Sequence, residues 1–229
     1  MRRLLSEDSA IMRFFTAVTN MMLINILWLI CVIPVITAGA ATTAAYYALY
    51  QNLTNEDSAV VKPFFRAFRQ NFKQATLLWI PLMLIGLLLG LDAVYLVGNH
   101  PGQFHVLWVA FFVIALLYAV VVSHAFAIMG RYDAPTGQIV RNCFLIFFMN
   151  LFRSVLILVL TVLPIPVLLF LPQQVVKTLP LWILLIFGLL FFANAHMFLQ
   201  SFRKSDAAYR ERAAECDPQD AYDAQGRHF

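Results

Sequence analysis

The chain has 229 residues, of which 62% are apolar and only 12% are charged, whereas about 25% of the residues in an ordinary soluble domain are charged. This composition excludes a water-soluble globular protein. The formal net charge of +4 is typical of a membrane protein whose basic loops face an anionic cytoplasmic surface, and it predicts no nucleic-acid partner.

Five segments contain no Asp, Glu, Lys or Arg: residues 14–55, 74–91, 93–130, 154–176 and 178–202. A helix needs about 20 apolar residues to cross a bilayer. The sequence therefore predicts an all-α, polytopic transmembrane bundle of about six spans. We expect a membrane domain over residues 1–204 and a polar cytoplasmic tail over residues 205–229.

The first segment predicts a helical hairpin over residues 14–50, interrupted by Pro34 and Gly39. Its first limb is rich in large apolar residues, whereas its second limb, residues 37–50, is rich in Ala, Gly and Thr. Small residues are typical of a membrane helix that packs tightly between neighbours. This limb is only about 21 Å long, so the sequence leaves open whether it crosses fully or is re-entrant.

An amphipathic helix is predicted over residues 62–74, where phenylalanines and basic residues lie on opposite faces. We expect it to lie on the cytoplasmic leaflet, with its phenylalanines at the acyl boundary and its cations at anionic lipid headgroups. Docking of a cytoplasmic partner is the alternative. The residues of this predicted membrane-surface helix are Phe64, Phe65, Arg66, Phe68, Arg69, Phe72 and Lys73.

Four further spans are predicted at residues 75–98, 104–129, 154–171 and 179–200. With six crossings, fourteen Lys and Arg residues lie on one side and one on the other, which places both termini in the cytoplasm. If residues 14–50 cross only once, eleven Lys and Arg residues lie on one side and four on the other, and the N-terminus moves outside. Six crossings place Trp28 near the outer end of its span and Trp79 near the inner end of its own.

Residues 139–153 align without a gap to residues 60–74, and a predicted span follows each copy. This similarity indicates an internal duplication, a common feature of transporters.

Some polar residues lie inside the predicted spans, where ionisable groups are costly and often functional. The candidates for a ligand or polar role are Asp92, Arg153, His124, His196 and Asn25. Each also has a structural interpretation: Asp92 and Arg153 reach the interfaces, and the others form hydrogen bonds between helices. No catalytic motif is found, and the three cysteines have no metal-ligand spacing. We therefore predict no enzyme activity, no metal and no cofactor.

Four segments of the chain resemble the YesL-like bacterial membrane proteins. They are LWLICVIPVITAGAATTAAYYAL (27–49), FFRAFRQNFKQA (64–75), the loop Arg131-Tyr132-Asp133 and IVRNCF (139–144). Many members have Gly-Pro-Ala where this chain has Gly39-Ala40-Ala41. The resemblance implies a multi-pass protein of the bacterial cell membrane, in a family of unknown activity whose members accompany carbohydrate uptake systems. We therefore expect an accessory or scaffold protein with a membrane transport or signalling partner. The alternative is a small solute or ion carrier with polar residues lining a path.

Overall fold

The structure is a computed structural model that describes residues 10–55, 59–99, 105–162, 177 and 187–216. Within these ranges the regular elements are all helices and there is no strand, which confirms the all-α prediction. In chain order the helices are α1 (Ala10–Val32), α2 (Ala38–Asn55), α3 (Val61–Asn99), α4 (His105–Met129), α5 (Thr136–Met149), α6 (Leu151–Val162) and α7 (Phe187–Cys216), with a short 3-10 turn (Val35–Thr37) before α2.

Three of the described helices contain a segment long and apolar enough to cross a membrane: Phe15–Val32 in α1, Val61–Leu96 in α3 and Leu107–Met129 in α4. Helices α5 and α6 qualify only together, and they are bent by 115°. The count is therefore three, or four if the bent pair is one span, and six spans stay a prediction. Parts of the predicted spans 154–171 and 179–200 lie outside the described residues.

Helix α2 lies at the centre of the bundle, in contact with α1, α3, α4 and α7. Its small residues let the neighbouring backbones approach closely. At Gly39, a Cβ atom would lie only 2.8 Å from Trp79 Cβ and 2.9 Å from the Ala75 carbonyl oxygen. The prediction that this limb packs between neighbours is confirmed. Its fully buried alanines are Ala40, Ala41, Ala44, Ala45 and Ala48.

The predicted surface helix and the span after it form one continuous helix, α3, of 39 residues. At 1.5 Å per residue, α3 is about 58 Å long. The prediction of two separate elements was wrong. The change from charged to apolar side chains near residue 74 alters the environment of the helix, but no glycine or proline interrupts the backbone there.

The turn between α1 and α2 lies beside the middle of α3. Trp79 Nε1 donates a hydrogen bond to the Val35 carbonyl oxygen at 2.8 Å. From Trp79, α3 continues for 20 residues to Asn99, which is about 30 Å along the helix. The turn therefore ends far short of the distal end of α3, although its apolar side chains are exposed, as at Ile33.

The distal half of α3 pairs with α4. Gly86 lies so close to the Tyr118 side chain that a Cβ atom there would overlap its hydroxyl, and the rings of Trp79 and Phe126 pack at 5.8 Å. Most of the other large apolar side chains in this part of the pair are exposed, as expected of surfaces that face lipid.

The two aligned segments of the predicted duplication share a pattern of burial that continues past the aligned letters. Five positions between residues 60 and 78 are buried, and so is each position 79 residues later. The pairs are Val60 and Ile139, Phe64 and Cys143, Ala67 and Ile146, Ala75 and Ser154, and Leu78 and Ile157. The copies differ at one point, because α3 is continuous whereas Asn150, with φ −129° and ψ 48°, ends α5.

Candidate functional site

The predicted polar candidates do not meet at one site. Asp92 is exposed on the distal half of α3, about 20 Å along the helix from Trp79. His196 is exposed on α7, where its Nε2 lies 2.9 Å from Gln200 Nε2. Arg153 is half-buried in the first turn of α6. These three residues therefore lie on different helices, and none of them lines the aromatic cavity described below.

His124 is fully buried and forms part of the core. Its Nδ1 lies 3.1 Å from the Val120 carbonyl oxygen and 2.8 Å from Ser123 Oγ. Its ring packs against Phe198 at 5.2 Å and Phe147 at 6.0 Å. Its Nε2 has no hydrogen-bond partner among the described residues. This enclosure by aromatic rings supports a packing role for His124.

Asn25 is also fully buried, at the point where α1 meets α7. A Cβ atom at Gly188 would lie 3.4 Å from Asn25 Cβ and 2.9 Å from the Met21 carbonyl oxygen. Asn25 therefore lies at a close contact between two helices, where sequence analysis placed an interhelical interaction.

The predicted membrane-surface segment has a cationic face of exposed Lys62, Arg66, Arg69 and Lys73. At 100° per residue these four side chains fall within a sector of about 60°. The opposite face does not match the prediction, because Phe64 is fully buried in the protein core. A ring that packs against other helices is not available to lipid.

The remaining phenylalanines divide between protein and surroundings. Phe68 is partly buried and packs against the core, whereas Phe65 and Phe72 are exposed. The expectation that all four phenylalanines enter the acyl boundary was therefore wrong. Phe64 and Ala67 in this half of α3 are fully buried in the hydrophobic core, so the cationic face has a fixed position.

A cavity of about 220 Å³ lies between α1, α2, α3, α4, α6 and α7. Its wall is mainly aromatic. Trp28 packs against Phe187 at 5.6 Å and against Phe191 at 5.2 Å. The six aromatic residues that line it are Trp28, Tyr46, Trp79, Phe126, Phe187 and Phe191.

Trp28 and Trp79 line the same cavity, although the six-crossing prediction placed them near opposite faces of the membrane. Trp28 Nε1 donates to Thr42 Oγ1 at 3.1 Å, which fixes the first limb of the hairpin to the start of the second. The two tryptophans therefore lie at a similar height in the bundle, and the α1–α2 turn ends beside Trp79.

Besides the Tyr46 phenol, three aliphatic hydroxyl groups of the described residues line the cavity, and each is within hydrogen-bonding distance of a carbonyl oxygen of its own helix. Thr42 Oγ1 donates to the Ala38 carbonyl at 2.8 Å, Thr161 Oγ1 to the Ile157 carbonyl at 2.8 Å, and Ser123 Oγ to the Val120 carbonyl at 3.1 Å. These bonds satisfy the hydroxyl protons within the helices. The hydroxyls therefore contribute few donors to the cavity.

Asn194 is the polar residue of the cavity that has an unsatisfied side-chain atom. Its side chain is 4% exposed, is hydrogen-bonded to the side chain of Tyr46 and donates from Nδ2 to Thr161 Oγ1 at 3.4 Å. Its Oδ1 has no hydrogen-bond partner among the described residues. A buried amide oxygen without a donor costs about 1–3 kcal/mol, so the cavity contains an acceptor suited to a ligand.

The sequence did not predict this cavity. Trp28 and Trp79 have the character of interfacial aromatics, and Asn194 belongs to no recognisable motif. Residues that are far apart in sequence meet here through helix packing, and no local motif marks them. The described residues give the cavity uncharged side chains, aromatic surfaces and a free acceptor at Asn194, an arrangement suited to binding.

Comparison with known proteins gives one family match, to residues 21–93, or about a third of the chain. The matched range covers part of α1, all of α2 and most of α3. No curated protein matches the chain, and no solved structure does. The chain is thus similar over residues 21–93 to the family described as "Protein of unknown function, DUF624".

Proposed function

We propose that this protein is a non-enzymatic accessory or scaffold protein of the bacterial cell membrane that presents the cationic face of α3 to a partner at the cytoplasmic surface. The observation that carries the proposal is the rigid position of this face. Lys62, Arg66, Arg69 and Lys73 are exposed along about 17 Å of helix, while Phe64 on the opposite side is fully buried.

The distribution of charge supports the cytoplasmic orientation. With six crossings, fourteen Lys and Arg residues lie on one side of the membrane and one on the other. This bias favours the cytoplasmic side for the N-terminus, the start of α3 and the C-terminal tail. Anionic lipid headgroups are expected around the same face, because juxtamembrane cations are attracted by about 1 kcal/mol each. An exposed cationic surface of fixed geometry also suits an acidic surface on a membrane transport or signalling protein.

The resemblance to YesL-like proteins supplies the cellular setting. It favours a partner in carbohydrate uptake, and the family match at residues 21–93 covers the helix that bears the cationic face. The carrier alternative has less support, because Asp92, Arg153 and His196 lie apart on different helices and none lines the aromatic cavity.

The test is affinity purification in mild detergent from the native host. We compare the wild type with Arg66→Glu/Arg69→Glu and with Arg141→Glu, an exposed arginine on α5. The proposal expects a stoichiometric companion with the wild type and Arg141→Glu, and at least tenfold less with the double variant. Purification that repeatedly yields the protein alone, or equal recovery with all three proteins, contradicts it.

A further inference from the structure

We propose that the aromatic cavity is a binding site for a neutral, membrane-soluble ring compound that carries a hydrogen-bond donor such as a hydroxyl group. The site is defined by Trp28, Tyr46, Trp79 and Phe191 in its wall and by Asn194 as its acceptor. This inference does not depend on the proposed partner of α3.

The wall determines the charge and shape of the ligand. Among the described residues no Asp, Glu, Lys, Arg or His lines the cavity, and these residues offer a charged ligand no counter-ion. Aromatic side chains pack well against other rings in edge-on or offset arrangements. A volume of about 220 Å³ is below the usual range for drug-sized ligands and therefore suits a small ring system.

The polar groups determine the hydrogen bond. The hydroxyls of Thr42, Ser123 and Thr161 are bonded to carbonyl oxygens of their own helices. Tyr46 is hydrogen-bonded to the Asn194 side chain, whereas Asn194 Oδ1 itself is buried without a partner among the described residues. A ligand O–H or N–H would satisfy this oxygen. A ligand that offers only an acceptor would leave it unsatisfied and lose the corresponding affinity.

The location of the cavity is also informative. Thr42 and Trp79 come from α2 and α3, whereas Ser123 and Thr161 come from α4 and α6. The 79-residue pattern of buried positions relates α3 to α5 and α6, and Trp79 and Thr161 lie just beyond its two copies. In membrane proteins with internal repeats, ligand sites commonly lie where the repeats meet. Several wall residues, including Trp28 and Val122, are only half-buried, so the cavity is open to entry at the bundle surface.

The experiment compares two fluorinated rings of similar size, 4-fluorophenol and 4-fluoroanisole, because only the phenol can donate a hydrogen bond. Binding to the full chain in detergent is measured by ¹⁹F NMR line broadening, with protein-free micelles as background. We expect roughly tenfold tighter binding of the phenol by the wild type. Asn194→Leu should bind both compounds within twofold of each other.

Asn150→Leu is the matched control, because Asn150 is another buried asparagine with an unpaired side-chain atom among the described residues but lies outside the cavity. It should keep the full preference for the phenol. Leu190→Trp fills the cavity from its wall and should abolish binding of both compounds, which tests the site even if Asn194→Leu does not fold. Equal binding of both compounds by the wild type, a preference that persists in Asn194→Leu, or unchanged binding by Leu190→Trp overturns the proposal.

Discussion

The substitution Gly39→Ala tests whether α2 is as closely packed as the structure shows. A Cβ atom at this position would lie 2.8 Å from Trp79 Cβ, 2.9 Å from the Ala75 carbonyl oxygen and 2.9 Å from Phe126 Cε1. The first two contacts involve α3 backbone or an atom attached directly to it, so a change of rotamer does not relieve them. Relief requires α2 and α3 to separate.

Overpacking of this kind costs about 1–3 kcal/mol, whereas Ala in place of Gly within a helix gains up to about 1 kcal/mol. Since three contacts are violated together, we expect the cost near the top of its range and a net loss of about 2 kcal/mol in the free energy of unfolding. Gly90→Ala is the control, because no atom lies within 4 Å of a Cβ atom there. It should be neutral or stabilising.

Unfolding in a fixed detergent, followed by circular dichroism during titration with SDS, measures both variants against the wild type. A difference of about 3 kcal/mol between Gly39→Ala and Gly90→Ala is the expected result. Equal stability of the two variants would refute the close approach of α2 and α3 at Gly39, and with it the placement of the α1–α2 turn beside Trp79.

Two other predictions concern the ends of the same helices. Phe64→Ala should lower the free energy of unfolding by about 3–5 kcal/mol, because the ring is fully buried. Phe65→Ala, at an exposed ring, should lower it by less than about 1 kcal/mol. A similar loss of stability in the two variants would contradict the described burial. With the native cysteines replaced by alanine, Ile36→Cys should resist a membrane-impermeant maleimide added to either side of the membrane, whereas Asp133→Cys in an exposed loop should react from one side. Labelling of Ile36→Cys from outside intact cells would show that the turn crosses to the outer surface.

Much of the fold follows from local chemistry. The charge-free segments locate the apolar helices, and Pro34 correctly marks the break between α1 and α2. The small residues after Thr37 predict the central position of α2 because only such side chains permit close backbone contact. The sequence did not predict the continuity of α3. The switch from charged to apolar side chains near residue 74 marks a change in the surroundings of the helix, and the backbone continues as a helix through both environments.

The cavity lay beyond the reach of sequence reasoning for a different reason. Trp28, Trp79 and Asn194 come from three separate helices, and each has an ordinary role when considered alone. Only the relative height of the helices brings them together. In lipid, apolar patterns fix which segments are helical but give little information about how far one helix slides along another, because exposed apolar residues are acceptable on every lipid-facing surface.

The distribution of charge does not distinguish the possible topologies of the α1–α2 hairpin. Two full crossings and a re-entrant hairpin both return the chain to the side where it started. The split of fourteen Lys and Arg residues on one side and one on the other is therefore the same for both topologies. The hydrogen bond from Trp79 to Val35 bears on this choice, since it places the turn about 30 Å along α3 from Asn99. The turn also satisfies its own backbone: Thr37 Oγ1 lies 2.5 Å from the Cys31 carbonyl oxygen, and Trp79 occupies the Val35 carbonyl. A turn with exposed apolar side chains and satisfied carbonyls is suited to lie within the hydrocarbon, which favours the re-entrant topology and places the aromatic cavity at the tip of the hairpin.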